Sequence, residues 1–88
     1  MKQVIVSVYD SAMMAYARPF FVPTTAVAIR SFIQEVNRAG DDNQMHRTPE
    51  DYSLYHLGDY DEETGTITQE AITMIVRAKD VLQPKEKQ

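Results

Sequence analysis

The sequence contains no cysteine and no tryptophan, and its 88 residues include only three glycines and four prolines. Without cysteine, neither a disulfide nor a thiolate metal site can hold the fold together, which fits a reducing compartment such as the cytosol. Nine basic side chains oppose thirteen acidic ones, for a formal net charge of −4. This balance argues against a protein that coats phosphate backbone by bulk charge, so any nucleic-acid contact must be a local patch.

The sequence also has no hydrophobic run long enough for a membrane span or a signal peptide. The run at residues 4–8 is interrupted by Ser7 and ends before Asp10, whereas a transmembrane helix needs about 20 apolar residues. We therefore expect no membrane association. Hydrophobic residues make up 43% of the chain, which is enough for one small core. The prediction is a single domain over residues 1–83, followed by a polar tail at 84–88 and supported by homodimer formation.

The residue pattern predicts an α+β fold in which a small, mostly antiparallel sheet of about four strands packs against one main helix. The predicted strands lie at residues 3–9, 15–22, 52–60 and 66–69. The first strand is apolar on both faces and should be central. The second contains Pro19, which cannot donate to a ladder, and should be an edge strand paired with the first. An acidic turn that ends in Gly65 should join the last two.

The main helix should begin at Thr24 or Thr25, whose hydroxyl can accept an unpaired amide, and end at about Ala39 before Gly40. Arg38 should then face the C-terminal end of the helix dipole. The apolar residues that recur at helical spacing are Ala26, Ile29, Phe32, Ile33 and Val36. The polar residues 40–48 have no period and predict a loop.

Residues 70–82 fit both a helical and a strand period. The helical set is Ala71, Met74, Ile75, Ala78 and Leu82, and the strand set is Ile72, Met74, Val76 and Ala78. Length and good helix formers favour a helix, and the strand alternative stays open.

No group of residues has the spacing of a catalytic site, so we expect neither an enzyme nor a bound cofactor or metal. The carboxylates of Asp59, Asp61, Glu63 and Glu70 match four places of a calcium loop. Such a loop requires glycine at its sixth place, where Thr64 stands, and helices on both sides. A solvated hairpin turn is therefore the favoured interpretation.

The two histidines, His46 and His56, lie in a predicted loop and a predicted strand. Neither has a partner at the spacing of a metal site or a catalytic triad. We expect His56 to be a half-buried strand residue that is hydrogen-bonded to a neighbour.

Aromatic residues with arginines nearby are the pattern that points to a ligand. Unstacked bases pile on aromatic rings, and several single-strand binders present such rings on a sheet with a few guanidinium groups. The rings in question are Tyr9, Tyr16, Phe20, Phe21, Tyr52, Tyr55 and Tyr60. Five tyrosines and three phenylalanines are an ordinary number. The favoured alternative is therefore that Phe20, Phe21 and Phe32 are core while the tyrosines pack with wet hydroxyls.

Three blocks of sequence resemble the small non-structural protein of gokushovirus-type microviruses, which are single-stranded DNA phages. The blocks are VYDS with RPFF at residues 8–11 and 18–21, AIRSF with VN at 28–32 and 36–37, and PEDY with LYHLG at 49–52 and 54–58, closing at Asp61 and Thr64-Gly65. The resemblance implies a non-virion, early-acting protein of the host bacterial cytoplasm that is described as DNA-binding. It also implies a role in the switch toward single-stranded progeny genomes, and it brings no catalytic residues.

The resulting hypothesis is a phage protein that binds single-stranded DNA during viral genome replication. The candidate contacts are Tyr16, Arg18, Arg30, Arg38 and Arg47. The alternative hypothesis is an adaptor that recruits a phage or host replication protein without binding DNA itself, which the negative net charge favours.

Overall fold

The computed structural model describes residues 1–69 and 71–83 and shows an antiparallel sheet with helices on one side. The strands are β1 (Lys2–Asp10), β2 (Ala15–Tyr16), β3 (Phe20–Val22), β4 (Tyr52–Asp61), β5 (Thr66–Thr68) and β6 (Thr73–Arg77). The helices are α1 (Thr25–Val36), α2 (Gln44–Arg47) and α3 (Ala78–Val81), with a 3-10 turn at Pro49–Asp51. The α+β prediction is confirmed.

The long strands β1 and β4 form the centre of the sheet. They pair antiparallel from Lys2 opposite Asp61 to Asp10 opposite Tyr52, with one bulge at Leu57. Strands β2 and β3 both pair with β1, and β5 and β6 both pair with β4. The six strands therefore occupy four positions across the sheet, because each edge is divided into two short segments.

Pro19 divides the predicted edge strand at residues 15–22. Both parts pair with β1 as expected, but residues 17–19 between them are not assigned to a strand. Proline has no amide hydrogen and disfavours regular pairing of the residue before it, so the ladder is interrupted there. Only Val22 in this edge is buried.

The core lies between one face of the sheet and α1. Val6 and Leu54 from the central strands pack with Phe32 of the helix. The full set of buried apolar core residues is Val6, Val22, Ala28, Phe32, Val36, Leu54 and Ala78. The predicted stripe was partly wrong, because Ala26 is exposed and the buried stripe follows i, i+4 spacing from Ala28. The position of the sheet decides which side of the helix is buried. The helical period of the sequence does not show which side this is.

The start of α1 was predicted correctly, and its end was not. The Thr24 hydroxyl accepts a hydrogen bond from the Val27 amide at 3.2 Å. The helix ends at Val36 because the buried side-chain amide of Asn43 donates to the Glu35 and Arg38 carbonyls, both at 2.7 Å. These bonds satisfy carbonyls that a further helical turn would have paired.

Residues 40–48, predicted as a loop, contain the single helical turn α2. Arg38 lies beyond the end of α1 instead of on its last turn. The prediction that it faces the helix dipole is therefore wrong.

The predicted helix over 70–82 is wrong for most of its length. Residues 73–77 form β6, with Leu54 opposite Val76, and only 78–81 are helical. Partners supplied by β4 outweigh local helix propensity here, as tertiary context commonly does. Glu70 and the predicted tail at 84–88 lie outside the described residues.

The acidic hairpin turn was predicted correctly. Gly65 has φ +74°, its amide donates to the Asp61 carbonyl at 2.7 Å, and β5 follows directly. Asp61 also accepts from the Glu63 amide at 3.0 Å. In the described part of the chain, no helix is long and apolar enough to cross a membrane.

Candidate nucleic-acid interface

One face of the sheet is left uncovered by the described helices. Residues paired directly across an antiparallel ladder point to the same face, so the register separates the side chains on the core side from those on this second side. We call the second side the open face. Its residues are Gln3, Ile5, Ser7, Tyr9, Tyr16, Phe21, Ser53, Tyr55, Gly58, Tyr60, Ile67, Met74 and Arg77. None of these positions carries a carboxylate.

Three tyrosines form a cluster at one end of the open face. Tyr9 lies opposite Tyr16 with ring centroids 4.7 Å apart, and Tyr55 is 5.8 Å from Tyr9 and 5.5 Å from Tyr16. Tilted and edge-to-face contacts of this kind stabilise the rings against one another. Tyr16 remains 43% exposed. The cluster, which we call the tyrosine cluster, is thus held in place by the sheet while a ring stays open to a ligand.

A second aromatic pair lies toward the other end of the open face. The rings of Phe21 and Tyr60 meet edge to face at 5.4 Å. Phe20 and Phe21 are both exposed, and only Phe32 of the three phenylalanines is buried. The expectation that Phe20 and Phe21 are core is therefore wrong, because β3 is a short edge strand that reaches the core through Val22 alone.

Tyr52 differs from the other tyrosines because its strand position faces the helices. It lies opposite Asp10 and packs against the core. Burial, and then the neighbouring Asp10 carboxylate, raises the pKa of the Tyr52 phenol. Tyr52 is therefore a structural residue.

The predicted contact residues divide between the two sides of the sheet. Tyr16 belongs to the tyrosine cluster. The residue before Arg18 is Ala17, whose carbonyl accepts a hydrogen bond from the buried Ser7 hydroxyl at 2.6 Å. The backbone of Arg18 therefore lies at the edge of the open face. Arg77 was not predicted, yet it lies opposite Ser53, which in turn lies opposite Tyr9. The strand period that the sequence allowed for residues 70–82 was the signal that could have found it.

The remaining predicted arginines belong to the helical side. Arg30 is exposed on α1, where it borders a shallow cavity. Arg38 binds Glu35 at 2.8 Å and Asp42 at 3.5 Å. Its hydrogen bond holds the pKa of the Glu35 carboxyl below its usual value. Arg38 is therefore less available to a phosphate than an arginine without carboxylate partners.

Arg47 donates to the Asp41 carbonyl at 3.1 Å. Within residues 1–69 and 71–83, no carboxylate forms an ion pair with Arg47, Arg18, Arg30 or Arg77. The structure therefore brings Tyr16 and Arg18 close to one face and leaves the other three predicted residues elsewhere.

A polar cavity of about 210 Å³ adjoins His56, on the side of the sheet opposite the tyrosine cluster. His56 is half-buried, and its Nε2 lies 3.2 Å from the Asp59 carboxylate, as expected for a strand residue bonded to a neighbour. The Nδ1 of His46 lies 3.0 Å from the Val36 carbonyl. The described residues contain no group of three or more metal ligands, while Glu70 of the calcium-loop pattern lies outside them. The expectation of no bound metal stays a prediction.

The chain matches the family described as Phage ORF5 protein over residues 3–81, and it belongs to that family. Neither curated proteins nor solved structures give a match.

Proposed function

We propose that the chain binds single-stranded DNA through the open face. The observation that supports this proposal is the tyrosine cluster, which leaves a ring exposed on the open face, and none of the described residues that form this face is itself a carboxylate. Bases of any sequence can stack on such rings, and each stacked base contributes about 1–3 kcal/mol. Arg77 on the face and Arg18 at its edge supply the positive charge for the phosphates.

The proposed binding is weak and largely independent of sequence. Two arginines can neutralise about two phosphates, which corresponds to a salt slope of about −1.4 for single strands, since each phosphate contributes about −0.7. The net charge of −4 opposes any larger coating of DNA. Stacking therefore carries most of the affinity.

Membership of a phage family supports the biological half of the proposal. We infer that the protein acts in the cytoplasm of the host bacterium, during replication of a single-stranded DNA phage of the microvirus type. From the resemblance to gokushovirus proteins, we propose that it acts at the switch to single-strand synthesis. The expected homodimer stays a prediction, which sedimentation at several protein concentrations would test.

Fluorescence anisotropy with a labelled oligothymidine tests direct binding. We expect a dissociation constant within the 10⁻⁴ to 10⁻⁶ M range of non-specific binders at physiological salt. No binding at low salt up to about 100 μM protein, a concentration at the weak end of that range, would contradict the proposal.

A matched pair of double variants tests which side of the sheet binds. Arg18→Ala with Arg77→Ala removes two charges from the open side, and Arg30→Ala with Arg47→Ala removes two from the helical side. Because the total charge change is equal, only the position of the charges differs. We expect the first pair to flatten the salt slope and the second to leave it nearly unchanged. The opposite result would assign binding to the helical side.

A protein-interaction adaptor is the second candidate function. Exposed apolar side chains on the open face, such as Ile67 and Met74, favour it, together with the negative net charge. In this case a phage or host replication protein would be captured by tagged protein, and nuclease treatment would not reduce the capture. Loss of the captured partner on nuclease treatment would instead favour DNA as the bridge.

A further inference from the structure

The open face contains an apolar cleft in addition to the tyrosine cluster. Its volume is about 280 Å³, and its walls include Phe21 on one edge of the sheet and Ile67 on the other. Ile5, Pro19 and Gln69 also line it. We call this feature the apolar cleft.

Ile5 and Gly58 form the floor of the cleft. Ile5 lies opposite both Phe21 and Gly58, so these three residues lie in one row across the open face. A Cβ atom at Gly58 would collide with the carbonyl oxygen of Thr68. Only glycine therefore keeps β4 and β5 together here, because the Thr68 carbonyl occupies the place that a side chain would need.

The walls of the cleft stand out into solvent on either side of this row. Phe21 is 47% exposed and Ile67 is 63% exposed, while Ile5 at the floor is buried. The Phe21 ring also meets the Tyr60 ring edge to face. The result is a shallow apolar slot, and among its described lining residues only Gln69 has a polar side chain able to hydrogen-bond.

We infer that the apolar cleft accepts a second base of the same DNA strand that stacks on the tyrosine cluster. This inference rests on the proposed function. The occupant must be apolar on its faces and able to hydrogen-bond at its rim, which matches a nucleobase. Arg18 directly precedes Pro19 of the cleft wall, so a guanidinium group lies close enough in sequence to serve the linking phosphate.

Charge also limits where the strand can run. Beyond Tyr60 the hairpin carries Asp61, Glu62 and Glu63, and Glu62 accepts a hydrogen bond from Gln3 at 3.1 Å. These carboxylates repel phosphate, whereas none of the described open-face residues between the tyrosine cluster and the apolar cleft has a carboxylate. The DNA therefore follows β1 between the two sites and stops at the acidic hairpin.

The spacing of the sites predicts the length of the bound strand. Ile5 and Tyr9 are four residues apart on β1, which is roughly 13 Å at about 3.3 Å per residue. A stacked strand rises about 3.4 Å per nucleotide, so the two sites are separated by about four nucleotides. An oligonucleotide of about five nucleotides should occupy both.

Binding measured against oligothymidine length tests the inference on the full chain. Affinity should rise steeply up to about five nucleotides and then level off. Phe21→Ala and Ile67→Thr should each weaken binding of a six-nucleotide oligothymidine about five-fold or more, which is the equivalent of one lost stacking contact. A two-nucleotide oligothymidine is too short to reach both sites. It should bind both variants with the same affinity as it binds the original chain.

The control variant is Ile72→Thr, which makes the same change at an exposed isoleucine that does not line the cleft. Circular dichroism should show that all three variants fold. If Phe21→Ala and Ile67→Thr leave the affinity for the six-nucleotide oligothymidine unchanged but Tyr16→Ala lowers it, the cleft inference is overturned while DNA binding stands. If no oligonucleotide binds at all, the proposed function itself fails. A shift in sedimentation in place of lost affinity would assign the cleft to self-association and overturn the inference.

Discussion

The two faces of the sheet are built from the same strands, yet they are made of different side chains. On β4, Leu54 is fully buried against the helices, while the next residue, Tyr55, contacts two other tyrosine rings on the open face. The buried core on the helical side consists of apolar side chains. Tyrosine rings occupy the open face, on which the stability of the fold depends less, so a ligand can bind there without displacing the core.

The largest expected effect separates the stability of the two faces. Leu54→Ala should lower the free energy of unfolding by about 2–5 kcal/mol, because it removes a buried side chain and leaves a cavity. Tyr55→Ala, one residue along, should cost about 1 kcal/mol, since its contacts are edge-to-face rings at the surface. Urea denaturation measures both, and equal losses would contradict the division of roles between the faces.

For DNA affinity, substitutions on the open face should have a larger effect than substitutions in the core. Tyr16→Ala should weaken oligothymidine binding by about 1–3 kcal/mol, the contribution of one stacked base. Tyr16→Phe is the matched control, because it keeps the ring and removes only the hydroxyl. If both variants lose the same affinity, hydrogen bonding by the phenol carries the contact and stacking does not.

A smaller effect is expected where the open face does contribute to stability. Ser7→Ala removes the hydrogen bond from the buried hydroxyl to the Ala17 carbonyl, which should cost about 0.5–1.5 kcal/mol. Because this bond holds the edge next to Tyr16, DNA binding should weaken as well. Ser53→Ala is the control, since Ser53 lies on the same face and no hydrogen bond of its hydroxyl is observed with the other described residues. Ser53→Ala should leave the urea midpoint nearly unchanged, and an equal loss in the two variants would show that the Ser7 bond is unimportant.

The smallest effect concerns the Glu35–Arg38 pair on the helical side. The Arg38 hydrogen bond lowers the pKa of the Glu35 carboxyl in the folded state. Ionised Glu35 therefore contributes fully to the stability of the fold above about pH 4.3, the ordinary pKa of a glutamate. This contribution is lost as the pH falls through the lower pKa that Glu35 has in the folded state. The urea midpoint of Glu35→Gln should accordingly fall less than that of the original chain between pH 5 and pH 3. The pair is exposed to solvent, so salt should reduce the difference.

Features set by local chemistry were predictable from the sequence. Thr24 can cap a helix with its own hydroxyl, and Gly65 can adopt a positive φ because it has no side chain. Pro19 interrupts the hydrogen bonding of a β-strand because it has no amide hydrogen. The central position of β1 also follows from its own residues, which are apolar on both sides.

Features set by distant partners were not predictable. Residues 73–77 became a strand because β4 offers them a ladder, and α1 stops at Val36 because Asn43 reaches back to its carbonyls. The candidate site was predicted in part for the same reason. Tyr16 and Arg18 are close to β1 in the chain, while Arg77 reaches the open face only through pairing with β4.

The divided edges of the sheet have a consequence for self-association. A long, regular edge strand offers a row of free amides and carbonyls on which another chain can build. Here Pro19 breaks one edge, and the other consists of the separate strands β5 and β6. No described edge strand is longer than five residues. The molecule can therefore display exposed rings on its surface while offering little template for the strand-by-strand growth that leads to fibrils.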